Sequence, residues 1–386
     1  MNNLKGIVTI GVNVISNLKI PILSFFVSTS ELGEIAYIIS ISYLINLIAP
    51  RIEDVIDEQK LNGTGDYHSN ILKAFCSVLV LSSSFTLFIG LINPIFFNLR
   101  IEDLILIFFL SIGHKLTPII TTHFKFNNNE TKYSLLNLSI NLIFVIAFLI
   151  IDLGRISYWL LYSPILISPI IYSSYFISFR GIKGILPEVY KFILRSYKIS
   201  SKINIVKYFG DQGIIFLSGL FLDSHHTGLL SLSKVITSPL RVAQTYYQNR
   251  LYFIHGENNL RDQKLNLLKE FWKIRLVITF AIYAMAYLYF YMISSEELGK
   301  LILLTTLFII SSLLNSERIE IDILVKKYNL YKIRDKSAFS RLIIQLGIFV
   351  LIQNIYSLIL GLIVAILIQI FYFDKKIKTT SYSNGI

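Results

Sequence analysis

The sequence predicts an all-α polytopic membrane protein, and three observations carry that expectation. Of its 386 residues 54% are hydrophobic and 14% aromatic, only 16% are charged, and the mean hydropathy is +0.62. Apolar runs of about 17 to 25 residues recur along the chain, the length a helix needs to cross a hydrocarbon core of ~30 Å. The Lys and Arg residues fall mostly on alternate loops, the asymmetry that orients helices in a bilayer.

Twelve helices are predicted, at approximately 5–28, 34–50, 70–92, 102–123, 133–152, 157–179, 205–222, 226–247, 272–293, 298–314, 340–354 and 356–373. The first run has the position of a signal peptide, but it contains Asn13, Ser16, Asn17 and Lys19 and lacks a small-residue cleavage site, so it is kept as helix one. Helices eleven and twelve share one stretch from Phe339 to Phe373, divided at the polar pair Gln353-Asn354. Left undivided, it would place Lys375, Lys376 and Lys378 outside, against the charge pattern. The helices group as an N-terminal six-helix bundle (1–179), a basic linker (180–204), a C-terminal six-helix bundle (205–373) and a tail (374–386). Within the linker, Leu186 to Lys202 interleaves apolar and basic residues, as an amphipathic helix lying on the inner surface would.

Of the 36 Lys and Arg residues, Arg100, Arg155 and Lys300 fall in the outer loops and their flanks, and Lys19, Lys115, Lys234 and Arg241 fall deeper inside spans. All the others lie in the opposite loops and their flanks, which makes that side, with both termini, cytoplasmic. The net charge of +12 is therefore spread over membrane flanks rather than gathered into a nucleic-acid patch. Those flanks meet anionic lipid headgroups. Cys76 is the single cysteine, so no disulfide forms within one chain. No metal-ligand cluster, nucleotide-phosphate loop or nucleophilic constellation stands out, and no cofactor is expected.

At 100° per residue, Thr227, Ser231, Lys234, Ser238, Arg241, Thr245 and Gln248 fall on one face of helix eight. Lipid cannot satisfy such a stripe, so it faces other helices or a polar cavity. Ser and Thr alone would serve as glue between helices. The cations go further, because a basic residue near the bilayer centre costs ~2.5–3.5 kcal/mol on insertion scales. Long side chains also reach the interface by snorkelling, which remains open for both Lys234 and Arg241. Helix seven supplies Asp211, the only acid away from the ends of a span, with Lys207 one turn before it. Asp211 fits either a structural ion pair or an ion-coupling site. Lys19 lies beyond mid-membrane, and Lys115 sits in "GHKLTPIITTH", where His114 reads first as a hydrogen-bonded structural histidine. Four interior cations against one anion imply an anionic ligand, and phosphate suits Lys and Arg.

The halves share a faint repeat. "STSELGEIAYIISISYLI" around Gly33 resembles "LDSHHTGLLSLSKVITSP" around Gly228, as two bundles related by a pseudo-twofold axis would. Asp211 to Pro239, "DQGIIFLSGLFLDSHHTGLLSLSKVITSP", resembles the seventh-and-eighth-helix region of Wzx-type polysaccharide flippases of the MOP superfamily, which includes the MATE exporters. Asp211, Gly228, Ser231 and Pro239 match its pattern; Leu230 stands where Tyr is usual, Ser233 where Ala is usual, and the His225-His226 turn is atypical. Gly33 resembles the start of the family's second helix. The resemblance implies a multi-pass protein of a bacterial inner membrane that flips a polyprenyl-diphosphate-linked oligosaccharide, of the O-antigen kind, to the outer leaflet. It implies a cationic cavity holding the diphosphate, for which Lys234, Arg241, Lys19 and Lys115 are the candidates, and other polysaccharide-assembly proteins as partners. A cation-coupled MATE-type exporter is the alternative; a membrane polymerase or glycosyltransferase is disfavoured by outer loops of only about four to ten residues.

Overall fold

The computed structural model describes residues 19–50, 52, 67–126, 130–150, 160–176, 185–199, 212–240, 244, 261–293, 297–316, 318, 321 and 330–383. Every regular element among them is helical. The chain divides into two compact units, Met1–Lys19 with Ile35–Tyr208, and Ile20–Glu34 with Phe209–Ile386. Five helical stretches among the described residues are long and apolar enough to cross a membrane: Ile71–Phe96, Ile101–Ile120, Lys269–Tyr289, Leu298–Asn315 and Ile355–Thr380. The first of these turns Leu87, Leu91 and Ile95 outward at helical spacing, 69–79% exposed. Lipid tolerates such a stripe, and in a water-soluble chain it would be a liability.

Helix α1 (Thr29–Tyr43) begins five residues earlier than hydropathy places it. The cause is a capping box: Ser28 N–H and Oγ donate to Glu31 Oε2 at 3.0 and 3.1 Å, and Glu31 N–H donates to Ser28 Oγ at 3.3 Å. The first unit continues through α2 (Ile45–Ile48), α3 (Tyr67–Phe96), α4 (Ile101–Phe126), α5 (Glu130–Ile150), α6 (Pro164–Phe176) and α7 (Ile185–Ile199). Helices α3 and α4 interdigitate Ala74 and Val78 with Ile112, Leu116 and Ile119. Their turn is stitched by Asn93, whose Nδ2 donates to Leu99 O at 2.8 Å and whose Oδ1 accepts from Leu99 N–H at 2.7 Å. Helix α6 approaches α4 at Gly113, where a Cβ would stand 2.6 Å from the Ile165 carbonyl oxygen.

In the second unit the order is α8 (Gly213–Phe221), α9 (Ser224–Ile236), α10 (Arg261–Ile293), α11 (Leu298–Ser316), α12 (Tyr331–Ile352), α13 (Ile355–Ile368), a π-helical turn (Gln369–Asp374) and α14 (Lys375–Ser383). The stretch split in the sequence at Gln353-Asn354 is two helices. Gln353 adopts a left-handed conformation (φ 49°), and Asn354 starts α13 with a capping box closed by Ser357. Helix α10 extends 11 residues before the predicted start at 272, through charged sequence that carries no hydropathy signal. The segment Ile20–Glu34 belongs with this unit. Tyr289 OH donates to Pro21 O at 3.0 Å, Phe25 meets the Tyr289 ring edge-on at 5.2 Å, and Gly33 abuts Gly228.

Candidate functional site

In the first unit, polar groups gather where α1 meets α4. Ser42 and Tyr43 end α1, and Ser111 and His114 lie one turn apart on α4. His114 Nε2 is 3.2 Å from Ser42 Oγ, the Ser111 hydroxyl donates to Ser42 O at 3.3 Å, and the His114 ring stacks on Tyr43 at 3.7 Å. Above the Tyr162 ring sits Lys19, 4% exposed, its ammonium 5.6 Å from the ring centroid. Tyr162 itself is 7% exposed, and its hydroxyl has no hydrogen-bond partner among the described residues. A cation over an aromatic face gains partial compensation for desolvation. The buried ammonium and phenol still present donor capacity where an acceptor anion would be stabilised.

Lys115 points elsewhere. Its ammonium, also 4% exposed, donates to Ala49 O at 3.1 Å and Pro50 O at 3.4 Å, capping the C-terminal end of α2. A cation there meets orphan carbonyls and the negative end of the helix dipole. Lys115 therefore has a structural task. His114 bonds to Ser42, as the sequence led one to expect of a buried histidine.

In the second unit, α9 carries Thr227 and Ser231 buried and Lys234 half-buried, one helical face in the upper part of the predicted stripe. The Thr227 hydroxyl donates to Asp223 O at 2.9 Å and lies 3.0 Å from Ser218 Oγ of α8, so this level of the stripe is interhelical glue. One turn further, Lys234 Nζ donates to Gln212 Oε1 at 3.3 Å. Ser233 is fully buried with no partner for its hydroxyl among the described residues. Helix α9 then stops. Pro239 cannot donate to the Val235 carbonyl; instead Thr237 N–H reaches Ser233 O and Val235 O, and the Thr237 hydroxyl donates to Lys234 O at 2.8 Å. Ser238 lies past this break in a resumed turn, half-buried. Arg241, Thr245, Gln248 and Asp211 lie outside the described residues.

One cation escaped the sequence reading. Arg275 was counted with the cytoplasmic flank, yet it is 1% exposed within the candidate span Lys269–Tyr289. Its guanidinium lies 5.4 Å from the Phe271 ring centroid and 5.3 Å from that of Trp272, and Nη2 reaches Ser312 Oγ on α11 at 3.5 Å. The signal was present in "FWKIR": aromatics three and four residues before an Arg share its helix face. Among the described residues no group of three or more His, Cys, Asp or Glu could hold a metal ion. Neither the known protein-family models nor the curated proteins give a match to this chain.

Proposed function

We propose that the chain is a flippase that carries a polyprenyl-diphosphate-linked oligosaccharide from the inner to the outer leaflet of a bacterial inner membrane by alternating access. The observation that carries this reading is the Lys19–Tyr162 pair, a buried ammonium and a buried phenol hydroxyl in one place in an apolar helical unit. Lys234 on α9 and Arg275 on α10 add cations in the second unit. The buried Lys19 ammonium and Tyr162 hydroxyl are donors that an acceptor anion would stabilise, and a diphosphate supplies two anionic groups with many acceptor oxygens. The sugars would follow through polar surroundings while the polyprenyl tail stays in lipid. An inside-negative potential favours outward movement of that charge by ~2.3 kcal/mol per charge per 100 mV. By the sequence reading, Arg241 would add a diphosphate contact, Ser231, Ser238, Thr245 and Gln248 polar lining, and Asp211 an ion-coupling site or a salt bridge.

The test is flipping of a fluorescent undecaprenyl-diphosphate oligosaccharide in proteoliposomes, wild type against Lys19→Ala, Lys19→Arg and Lys234→Ala at matched insertion. The expected result is flipping by wild type, a loss of tenfold or more for the Ala variants, and partial retention with Arg. Absence of wild-type flipping across several glycans, with and without imposed potential and pH gradients, would overturn the reading.

A further inference from the structure

Helix α7 (Ile185–Ile199) divides into three sectors. One is buried: Val189, Phe192 and Ser196 are 0–6% exposed, Val189 packing on Ile71 and Leu72 of α3. About a third of a turn away, Tyr190, Leu194 and Tyr197 form a stripe within roughly 60° of arc. They are 64, 45 and 46% exposed. A further third of a turn round stand Lys191 and Arg195, both exposed.

Its position along α3 fixes the level at which α7 lies. Ile71 and Leu72, which cluster with Val189, stand at the start of the span 70–92 that hydropathy gives the sequence, and Lys73 at the same level pairs with Glu188 at 2.7 Å. The helix is therefore held where α3 passes from water into hydrocarbon. The Lys and Arg asymmetry of the sequence makes that side cytoplasmic. An aromatic and aliphatic stripe beside a basic face, at that depth, matches the headgroup boundary of a bilayer.

We propose that α7 is a membrane-surface anchor: Tyr190, Leu194 and Tyr197 insert at the headgroup and acyl boundary, and Lys191 and Arg195 bind the phosphates of anionic phospholipids in the inner leaflet. The occupant is bulk anionic lipid, chosen by charge complementarity and by the depth that α3 imposes. This assignment stands apart from the transport reading and survives its failure.

Two measurements on the full chain test it. In a Cys76→Ala background, a nitroxide at Leu194→Cys is placed in nanodiscs of phosphatidylcholine with or without phosphatidylglycerol, and its collisions with oxygen and with a water-soluble nickel chelate are compared. Separately, with Cys76 retained, phosphatidylglycerol co-purifying from mixed lipid is measured for wild type, Lys191→Gln/Arg195→Gln and Lys191→Arg/Arg195→Lys. Expected are an oxygen-dominated label and a loss of lipid retention by about five-fold per cation removed, with retention kept by the charge-conserving pair. A label dominated by the nickel chelate would overturn the anchor. A label shielded from both reagents would mean that protein covers the stripe, which also overturns it. Immersion with lipid retention unchanged in the Gln pair would overturn the anionic-lipid assignment.

Discussion

Gly33 and Gly228 meet backbone to backbone. A Cβ on Gly33 would overlap the Ser224 carbonyl oxygen and lie 2.8 Å from Gly228 N, and a Cβ on Gly228 would overlap the Thr29 carbonyl oxygen. The two glycines are the centres of the two sequence segments that resemble each other, so that repeat brings its own halves into contact. The obstacles are backbone atoms, which cannot rotate aside. Gly33→Ala and Gly228→Ala are each expected to lower stability by about 1–3 kcal/mol or more, read as a fall in thermal midpoint in detergent. Because both report one contact, the double variant should lose less than the sum. Gly347, on α12 with open space around its Cβ position, is the control. Gly347→Ala should raise the midpoint, stability gaining the ~0.5–1 kcal/mol that a helix-interior glycine costs.

The N-terminus of α9 should respond to acid. Asp223 accepts from His226 N–H and pairs with His226 Nδ1, both at 2.7 Å. Partial burial pushes its carboxyl up, but the hydrogen bonds and charge of His226 outweigh this and hold it below the ordinary Asp value. A depressed carboxylate contributes stability that is present above its unfolded pKa and is lost as pH falls through the folded one. The thermal midpoint of wild type should therefore fall more steeply below the ordinary Asp range than that of Asp223→Asn. The amide keeps the cap without the charge. Asp223→Ala should cost ~1 kcal/mol at neutral pH. Parallel acid profiles for wild type and Asp223→Asn would refute the assignment.

What the sequence disclosed, and what it hid, follows from the range of each interaction. The break at Gln353-Asn354 was legible because two polar residues interrupt an apolar run, and "STSE" at Ser28 to Glu31 spells a capping box that hydropathy alone passes over. Lys19 and Lys115 were legible as cations within apolar runs. Their different tasks were not, since one is set by Tyr162 and the other by Ala49 and Pro50, partners more than sixty residues distant. Arg275 was hidden by its charged neighbours: a residue at the edge of a charged helix reads as solvated until α11 and its own aromatics are seen to enclose it. In α9 the wheel's face of Thr227, Ser231 and Lys234 is present, and Pro239 interrupts the regular hydrogen bonding beyond Ile236.

The α12–α13 hairpin offers a stabilising and a destabilising change at two adjacent residues. Gln353 holds φ 49° and ψ 44°, a conformation that costs a side chain roughly 1–2 kcal/mol and glycine almost nothing. Asn354 Oδ1 accepts from Tyr356 N–H at 3.1 Å, and Asn354 N–H donates to Ser357 Oγ at 3.2 Å. Gln353→Gly should raise the thermal midpoint, and Asn354→Ala should lower it through a loss of ~1 kcal/mol of stability. If Gln353→Gly lowers it, the left-handed turn is not the native one.

The Arg318 and Asp374 ion pair should prove costly to break. Arg318 Nε donates to Asp374 Oδ2 at 2.5 Å and Nη2 to Oδ1 at 3.2 Å, while Nη1 donates to Gln369 Oε1 at 2.8 Å. Gln369 Nε2 passes the network on to Ser337 O at 2.9 Å, tying α12 to the π-helical turn. Asp374 is 3% exposed and Gln369 2%, so the donors and acceptors depend on one another rather than on water. Removing one member takes away the ion-pair partner of a buried charge, at a cost of up to ~3–5 kcal/mol. Asp374→Asn and Arg318→Met should each destabilise on that scale, whereas Arg318→Met with Asp374→Leu removes both charges and should recover most of the loss. The measurement is the thermal midpoint of the purified protein. A double variant as unstable as the worse single would mean that the network also aligns the π-helical turn through Gln369, and Gln369→Leu would then reproduce the defect with the ion pair intact.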